Sequence, residues 1–221
     1  IVLVVMSGRP LDLSWADKNI PSIVQAWHLG SKSGDAIAQV LYGDYNPSAK
    51  LTMSFPRNVG QVPIYYNFKN TGRPSTSIEQ VTNSGYADVV NSPLYPFGHG
   101  LSYTNFKYSN LSIDSSELDY NSKINISVKI ENTGFFTGKE VAQLYIRDIV
   151  GSIARPMKEL KGFEMIELAP GESKVVNFEI DSSLLEFYTY ENKWEAEVGK
   201  FHAFIGTNSD VIDFKEFHLV R

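Results

Sequence analysis

The sequence predicts an α/β unit, part of a mostly parallel sheet with helices on its faces, followed by an all-β sandwich. Three observations carry this. Short apolar runs alternate with helix signals from residue 1 to about 104. From residue 105 onward the apolar residues recur with period two between regularly spaced turn signals. Charge divides at the same place: residues 1–100 hold 7 basic and 6 acidic side chains, and residues 101–221 hold 13 and 19. The expected units are 1–104 and 105–221.

Taking the elements in order, Ile1-Val2-Leu3-Val4-Val5-Met6 reads as a strand buried on both faces, of the kind found inside parallel sheets. Chains seldom open within such a strand, so a piece of a longer polypeptide is expected. Ser7-Gly8-Arg9-Pro10 is a loop punctuated by glycine and proline. A second strand is expected from Ile23 to Trp27, then a helix near Asp35–Tyr42 with Ser33 as N-cap and Gly43 as left-handed exit. A third strand is expected near Lys50–Phe55. Between Asn67 and Ser92 the apolar periodicity gives way to Gly, Pro, Ser, Thr and Asn, a length of irregular chain that is often functional.

In the second unit Ile124, Ile126, Val128 and Ile130 alternate with polar residues, as do Ala142, Leu144 and Ile146, then Val176, Phe178 and Ile180, then Phe201, Ala203 and Ile205. Ile212 and Phe214 change phase to Phe217 and Leu219, which predicts a bulge at Lys215-Glu216. Asn132-Thr133-Gly134, Ala169-Pro170-Gly171 and Gly206-Thr207-Asn208 are the turns between them. Seven or eight such strands in this length describe a β-sandwich.

Composition excludes several classes. With 43% apolar and 20% charged residues the chain is neither collagen-like, coiled coil nor disordered. Its longest apolar run falls far short of the ~20 residues that span a bilayer, so no membrane helix is expected. No secretory leader is recognisable among these residues. A net charge of −5 argues against nucleic acid as a partner. Without cysteine there are no disulfides or thiolate sites, and the four scattered histidines offer no ligand spacing, so neither metal nor cofactor is expected.

The site candidates follow from position. Ligands in open α/β sheets gather beyond the carboxyl ends of the strands, which here means Ser7–Asp12 and Trp27–Ser33. Arg9, Trp27, His28 and Lys32 would border such a crevice. A flat ring and a guanidinium are what sugar sites favour, although Trp27 in a core and Arg9 in an ion pair would explain them structurally. Tyr65 and Tyr66, at the mouth of the long loop, have the same standing. Gly30–Gly34 ahead of a helix has backbone N–H groups for an anion or is simply a tight loop. Gly98-His99-Gly100 lacks the rest of a dinucleotide fingerprint and reads as a turn. Asp12 is the least explained acid, Asp35 and Asp44 suit helix-end and turn roles, and Glu131, Glu140, Glu167, Glu172 and Glu179 read as a solvated face.

The runs Val4-Val5-Met6-Ser7-Gly8-Arg9-Pro10-Leu11, Ala26-Trp27-His28-Leu29-Gly30, Gly43-Asp44-Tyr45-Asn46-Pro47-Ser48-Ala49-Lys50-Leu51, Val62-Pro63-Ile64-Tyr65-Tyr66-Asn67 and Tyr95-Pro96-Phe97-Gly98-His99-Gly100-Leu101-Ser102-Tyr103 resemble glycoside hydrolase family three. Glu140-Val141-Ala142-Gln143-Leu144-Tyr145 and Lys158-Glu159-Leu160-Lys161-Gly162-Phe163 continue the likeness to the end of the chain. The resemblance implies a secreted or periplasmic, retaining, exo-acting β-glucosidase acting on β-linked oligosaccharides or glycosides. It implies three parts: a (β/α)₈ barrel, an α/β sandwich and an immunoglobulin-like, fibronectin type III-like domain. Residues 1–104 would be the end of the second part and 105–221 the third. The nucleophilic aspartate of the missing N-terminal barrel and the acid/base glutamate would both precede this chain, leaving no catalytic residue in it. β-Xylosidase, arabinofuranosidase or N-acetylglucosaminidase specificity stays open. So does a non-catalytic binding module, for which Phe135-Phe136, Phe187-Tyr188 and Tyr190 would be the exposed aromatic row.

Overall fold

Residues 1–74 and 84–221 are described by the computed structural model; part of the long loop expected at 67–92, residues 75–83, lies outside them. Strands β1 (Leu3–Val5) and β2 (Ile23–Gln25) pair in parallel, Leu3 opposite Ile23 and Val5 opposite Gln25. Helix α1 (Ser14–Asn19) connects them. It has no apolar stripe, so periodicity gave no sign of it. Leu13 holds its N-cap position without a side-chain cap, and Asp12 just ahead of it accepts the Ser14 N–H through Oδ1 at 2.9 Å. Helix α2 (Ser33–Tyr42) begins two residues earlier than expected: Ser33 is its first helical residue, Lys32 holds the N-cap position, and no side chain caps it. Gly43 leaves the helix at φ +84°, as its position predicts.

Two expectations for this half are corrected. Only Val5 of the opening run is buried, and Ile1 and Met6 are exposed; the described sheet has two strands, β1 and β2. Residues 50–55 form no regular strand, bend at Thr52 and Met53, and do not join that sheet. They bond instead to 94–99, through Leu51 N–H to His99 O (2.7 Å) and Phe55 N–H to Tyr95 O (2.8 Å). The small core gathers around Phe55, which meets Trp27 edge-on at 5.9 Å and Tyr95 at 6.1 Å.

The second half is the sandwich. Its strands are β3 (Phe106–Ile113), β4 (Glu117–Leu118), β5 (Lys123–Asn132), β6 (Gly138–Asp148), β7 (Glu159–Leu168), β8 (Ser173–Asp181), β9 (Phe187–Tyr188), β10 (Trp194–Glu195), β11 (Gly199–Gly206) and β12 (Lys215–Leu219). One sheet runs β4-β12-β11-β6-β7, the other β3-β5-β8, and β9-β10 form a separate hairpin. The inward residues of β5, β6, β8, β11 and β12 make one continuous core. The bulge expected at Lys215-Glu216 is absent: β12 keeps register from Lys215, and Ile212 and Phe214 belong to the loop before it. Bulges occur in β3, where Asn110 sits at φ +55°, and where β6 meets β7 between Leu144 and Tyr145. Asn132 of the first turn is wholly buried. Its carboxamide donates to Phe136 O and Leu168 O and accepts from Thr104 Oγ1, so every polar atom is matched.

The inward row of β6 ends in a carboxylate at each end. Asp148 meets the Arg155 guanidinium, Nε at 3.4 Å, which also lies 4.0 Å over the Phe187 ring. Glu140, expected in solvent, is 3% exposed. Lys50 of the first half reaches it at 3.1 Å, and Tyr108 Oη donates to it at 3.0 Å. The reason is phase, since Glu140 lies two residues before Ala142 and points to the same side. Burial pushes the Glu140 carboxyl up, and Lys50 and Tyr108 hold it back.

On the outer face of the same sheet the first half covers β6. Gln143 donates to Gly98 O (3.1 Å) and Thr207 O (2.6 Å) and accepts from Tyr145 Oη. A Cβ on Gly98 would overlap the Gln143 carboxamide, and Gly98 has φ +82°. This confirms the turn at Gly98-His99-Gly100 and gives its physical reason.

Lys50→Met should destabilise the protein by about 3 kcal/mol in urea unfolding, because it strands a buried carboxylate. Its NMR titration should place Glu140 at a higher pKa than in the parent; a lower value would contradict the assignment. Gly98→Ala should cost about 2 kcal/mol by the same unfolding measurement, from left-handed strain and the Gln143 overlap together.

Candidate functional site

The loops at the carboxyl ends of β1 and β2 bring three of the six candidates together. Trp27 follows β2 with φ +53°, an uncommon backbone state for a bulky residue. Its ring is held half-buried against Phe55. The His28 ring lies over Gly8, where an added Cβ would meet it at 3.0 Å, so the glycine permits the two loops to close on each other. Arg9 is exposed and has no ion-pair partner among the described residues; its carbonyl accepts from Ser7 Oγ at 2.8 Å. The structural explanation therefore applies to Trp27 and not to Arg9. Lys32 stands at the start of α2, where it pairs with Asp35 at 3.1 Å in open solvent. Beneath these loops the Gln25 carboxamide oxygen is buried without a partner among the described residues.

Tyr65 and Tyr66 sit elsewhere. Tyr66 stacks on Phe97 at 4.3 Å, meets Tyr145 edge-on at 6.0 Å and accepts the Leu160 N–H at 3.3 Å. It is a joint between the two halves. Tyr65 is exposed and lines a cavity of about 1210 Å³ between the halves, together with Phe68, Tyr86, Arg147, Lys158 and His202. Sequence reading missed the last three. Arg147 and His202 are out of phase with the core residues of their strands and read as surface, and alternation carries no sign that a second layer covers that surface.

Several of the acids have structural partners. Asp12 accepts the Ser14 N–H, Asp17 accepts from Tyr95 Oη at 2.7 Å, Glu172 accepts the Ala169 N–H, and Glu179 meets Lys123 at 2.6 Å. The proposed aromatic row does not form. Phe187 is buried under Arg155, and Phe135 and Phe136 follow the end of β5 while β9 and β10 lie by its start. Across a ten-residue strand that is roughly 30 Å.

Residues 1–103 match the glycosyl hydrolase family 3 C-terminal domain and residues 140–209 match a fibronectin type III-like domain. The chain belongs to glycoside hydrolase family 3. It is 47% identical, over its whole length, to a periplasmic beta-glucosidase of Salmonella typhimurium and covers 29% of that protein. It is 41% identical to a beta-xylosidase of Formosa agariphila, with 99% of this chain and 30% of that protein aligned. A crystal structure of a beta-glucosidase from Listeria innocua in complex with glucose superposes with a TM-score of 0.92 at 38% identity, covering 100% of this chain and 31% of the other. The chain thus spans about 30% of the length of these family 3 relatives and corresponds to their C-terminal portion.

Arg9→Gln should leave stability within about 0.5 kcal/mol of the parent, as befits an unpaired surface side chain, while Trp27→Ala should cost about 2 kcal/mol. Urea unfolding of both variants reads the difference; equal losses would show that Arg9 has a structural partner after all.

Proposed function

We propose that this chain is the downstream scaffold of a retaining, exo-acting β-glucosidase that releases terminal β-D-glucosyl residues from oligosaccharides or glycosides. One observation carries the reading: the whole chain aligns with β-glucosidases, and covers less than a third of each. The nucleophile and the acid/base belong to the remainder of the protein, with the two carboxyls ~5–5.5 Å apart across the scissile bond as retention requires. In this reading residues 1–104 complete the acid/base domain and residues 105–221 buttress it. Arg9, Trp27, His28 and Lys32 border the substrate crevice, whereas Tyr65 and Tyr66 belong to the separate cavity between the halves. The name of the Salmonella relative supports a periplasmic or secreted location, and no described helix is long and apolar enough to cross a membrane.

The 221-residue chain alone should release no nitrophenol from an aryl β-D-glucoside above a heat-killed control, whereas the full-length protein should release it with net retention of anomeric configuration by NMR. Turnover by the chain alone would overturn the reading. The Formosa relative favours a second specificity, β-xylosidase; the ratio of kcat/KM on aryl xyloside and aryl glucoside decides between them.

A further inference from the structure

The cavity between the halves has a chemistry that the proposed hydrolysis does not use. At its floor stands Arg147, on the outward side of β6, half-buried, its guanidinium without a hydrogen bond or ion pair to any described residue. A guanidinium carries five N–H donors in a planar fork, and leaving them unmatched in a partly desolvated site is costly. Its neighbours do not neutralise it. Lys158 donates to Ser209 O at 2.9 Å and to Val211 O, and lies 4.6 Å over the Phe204 ring, so its partners carry no formal charge. Burial and Arg147 both bear down on the Lys158 ammonium, and Asp210 at the rim is the acid that opposes them. His202 stacks on Phe214 at 3.9 Å, and its Nε2 lies 3.4 Å from Glu216. Glu216 is itself shared with Lys200 and His218. The floor therefore holds more positive than negative charge.

The walls are of a different kind. Tyr65, Phe68 and Tyr86 leave 61%, 55% and 42% of their surface open to solvent. Asn70 and Thr71 stand among them with amide and hydroxyl groups. Flat apolar faces interleaved with hydrogen-bonding groups match a pyranose, which has an apolar face and a rim of hydroxyls; a purely apolar ligand would leave those polar groups unpaired.

We propose that this cavity binds an acidic oligosaccharide, one bearing a uronate, with its carboxylate on the Arg147 fork and its sugar ring against the exposed aromatic rings. The choice of a sugar rests on the glycosidase reading, and the carboxylate rests on Arg147 alone. Bidentate pairing of a carboxylate with a guanidinium supplies both orientation and preference over a neutral ring.

Isothermal titration of the full-length protein tests this with three probes: a β-linked disaccharide ending in glucuronic acid, the same disaccharide with its carboxyl reduced to the alcohol, and 4-hydroxybenzoate. The acid should bind at least about tenfold more tightly than the reduced sugar, and its affinity should fall as salt rises. Arg147→Gln should abolish that preference while leaving kcat/KM on an aryl glucoside within about twofold. Arg147→Lys, which keeps the charge and loses the fork, should retain an intermediate preference, and it serves if the glutamine variant does not fold. Equal affinity for acid and alcohol, no binding of either, a preference that survives Arg147→Gln, or 4-hydroxybenzoate binding as tightly as the acidic sugar would overturn the proposal. Failure of the protein to cleave glucosides would sink the hydrolase reading and leave this binding result standing.

Discussion

Glu140 is a carboxylate with almost no access to water, and Lys50, from the other half of the chain, supplies the countercharge 3.1 Å away. A buried ion pair is a weak source of net stability but a severe penalty when broken. Its effect here is on register: one arrangement of the two halves satisfies both charges, and sliding or rotating either half leaves them stranded. Other contacts follow from that arrangement. The Lys50 ammonium also donates to Gly100 O at 3.2 Å, Asn46 donates to Thr137 O at 3.0 Å, and the Gly98 turn closes over Gln143. The five-stranded sheet is in consequence covered on both faces at β6, by the sandwich core on one side and by Tyr66 and Phe97 on the other.

In the proposed reading, that arrangement explains how a chain without an assigned catalytic residue would contribute to a glycosidase. The loops after β1 and β2 are set by local constraints: glycine at position 8 under the His28 ring, and a left-handed Trp27 fixed by Phe55. Those loops are anchored to the small first-half core, and that core is tied to the sandwich through residues 94–100. In the proposed reading, a rigid buttress thus stands behind the surface that would border the substrate.

The parts of the fold legible in the sequence were those where one physical signal acted alone. β5, β8 and β11 alternate cleanly because one face meets the core and the other does not. Strand β7 was obscured by Phe163 and Met165, outward and exposed, which break the alternation that Ile166 and Leu168 keep. Helix α1 was silent because only Ala16 is buried, and the side-chain mark of its start is a single hydrogen bond, from the Ser14 N–H to Asp12. Glu140 was legible and misread: its phase with Ala142 and Leu144 already placed it inside, whereas its charge suggested solvent. At the candidate site, proximity to strand ends picked out Arg9, Trp27 and His28. Arg147, Lys158 and His202 escaped notice because their cavity exists only once the two halves dock, and docking leaves no local periodicity.

In the proposed reading the reacting carboxylates lie outside these residues. Trapping the glycosyl intermediate of the full-length protein with a 2-deoxy-2-fluoro-β-glucoside and mapping the labelled peptide by mass spectrometry tests it most directly. The label should fall on an aspartate outside residues 1–221. A label on any carboxylate of this chain, Asp12 or Asp210 for instance, would contradict it.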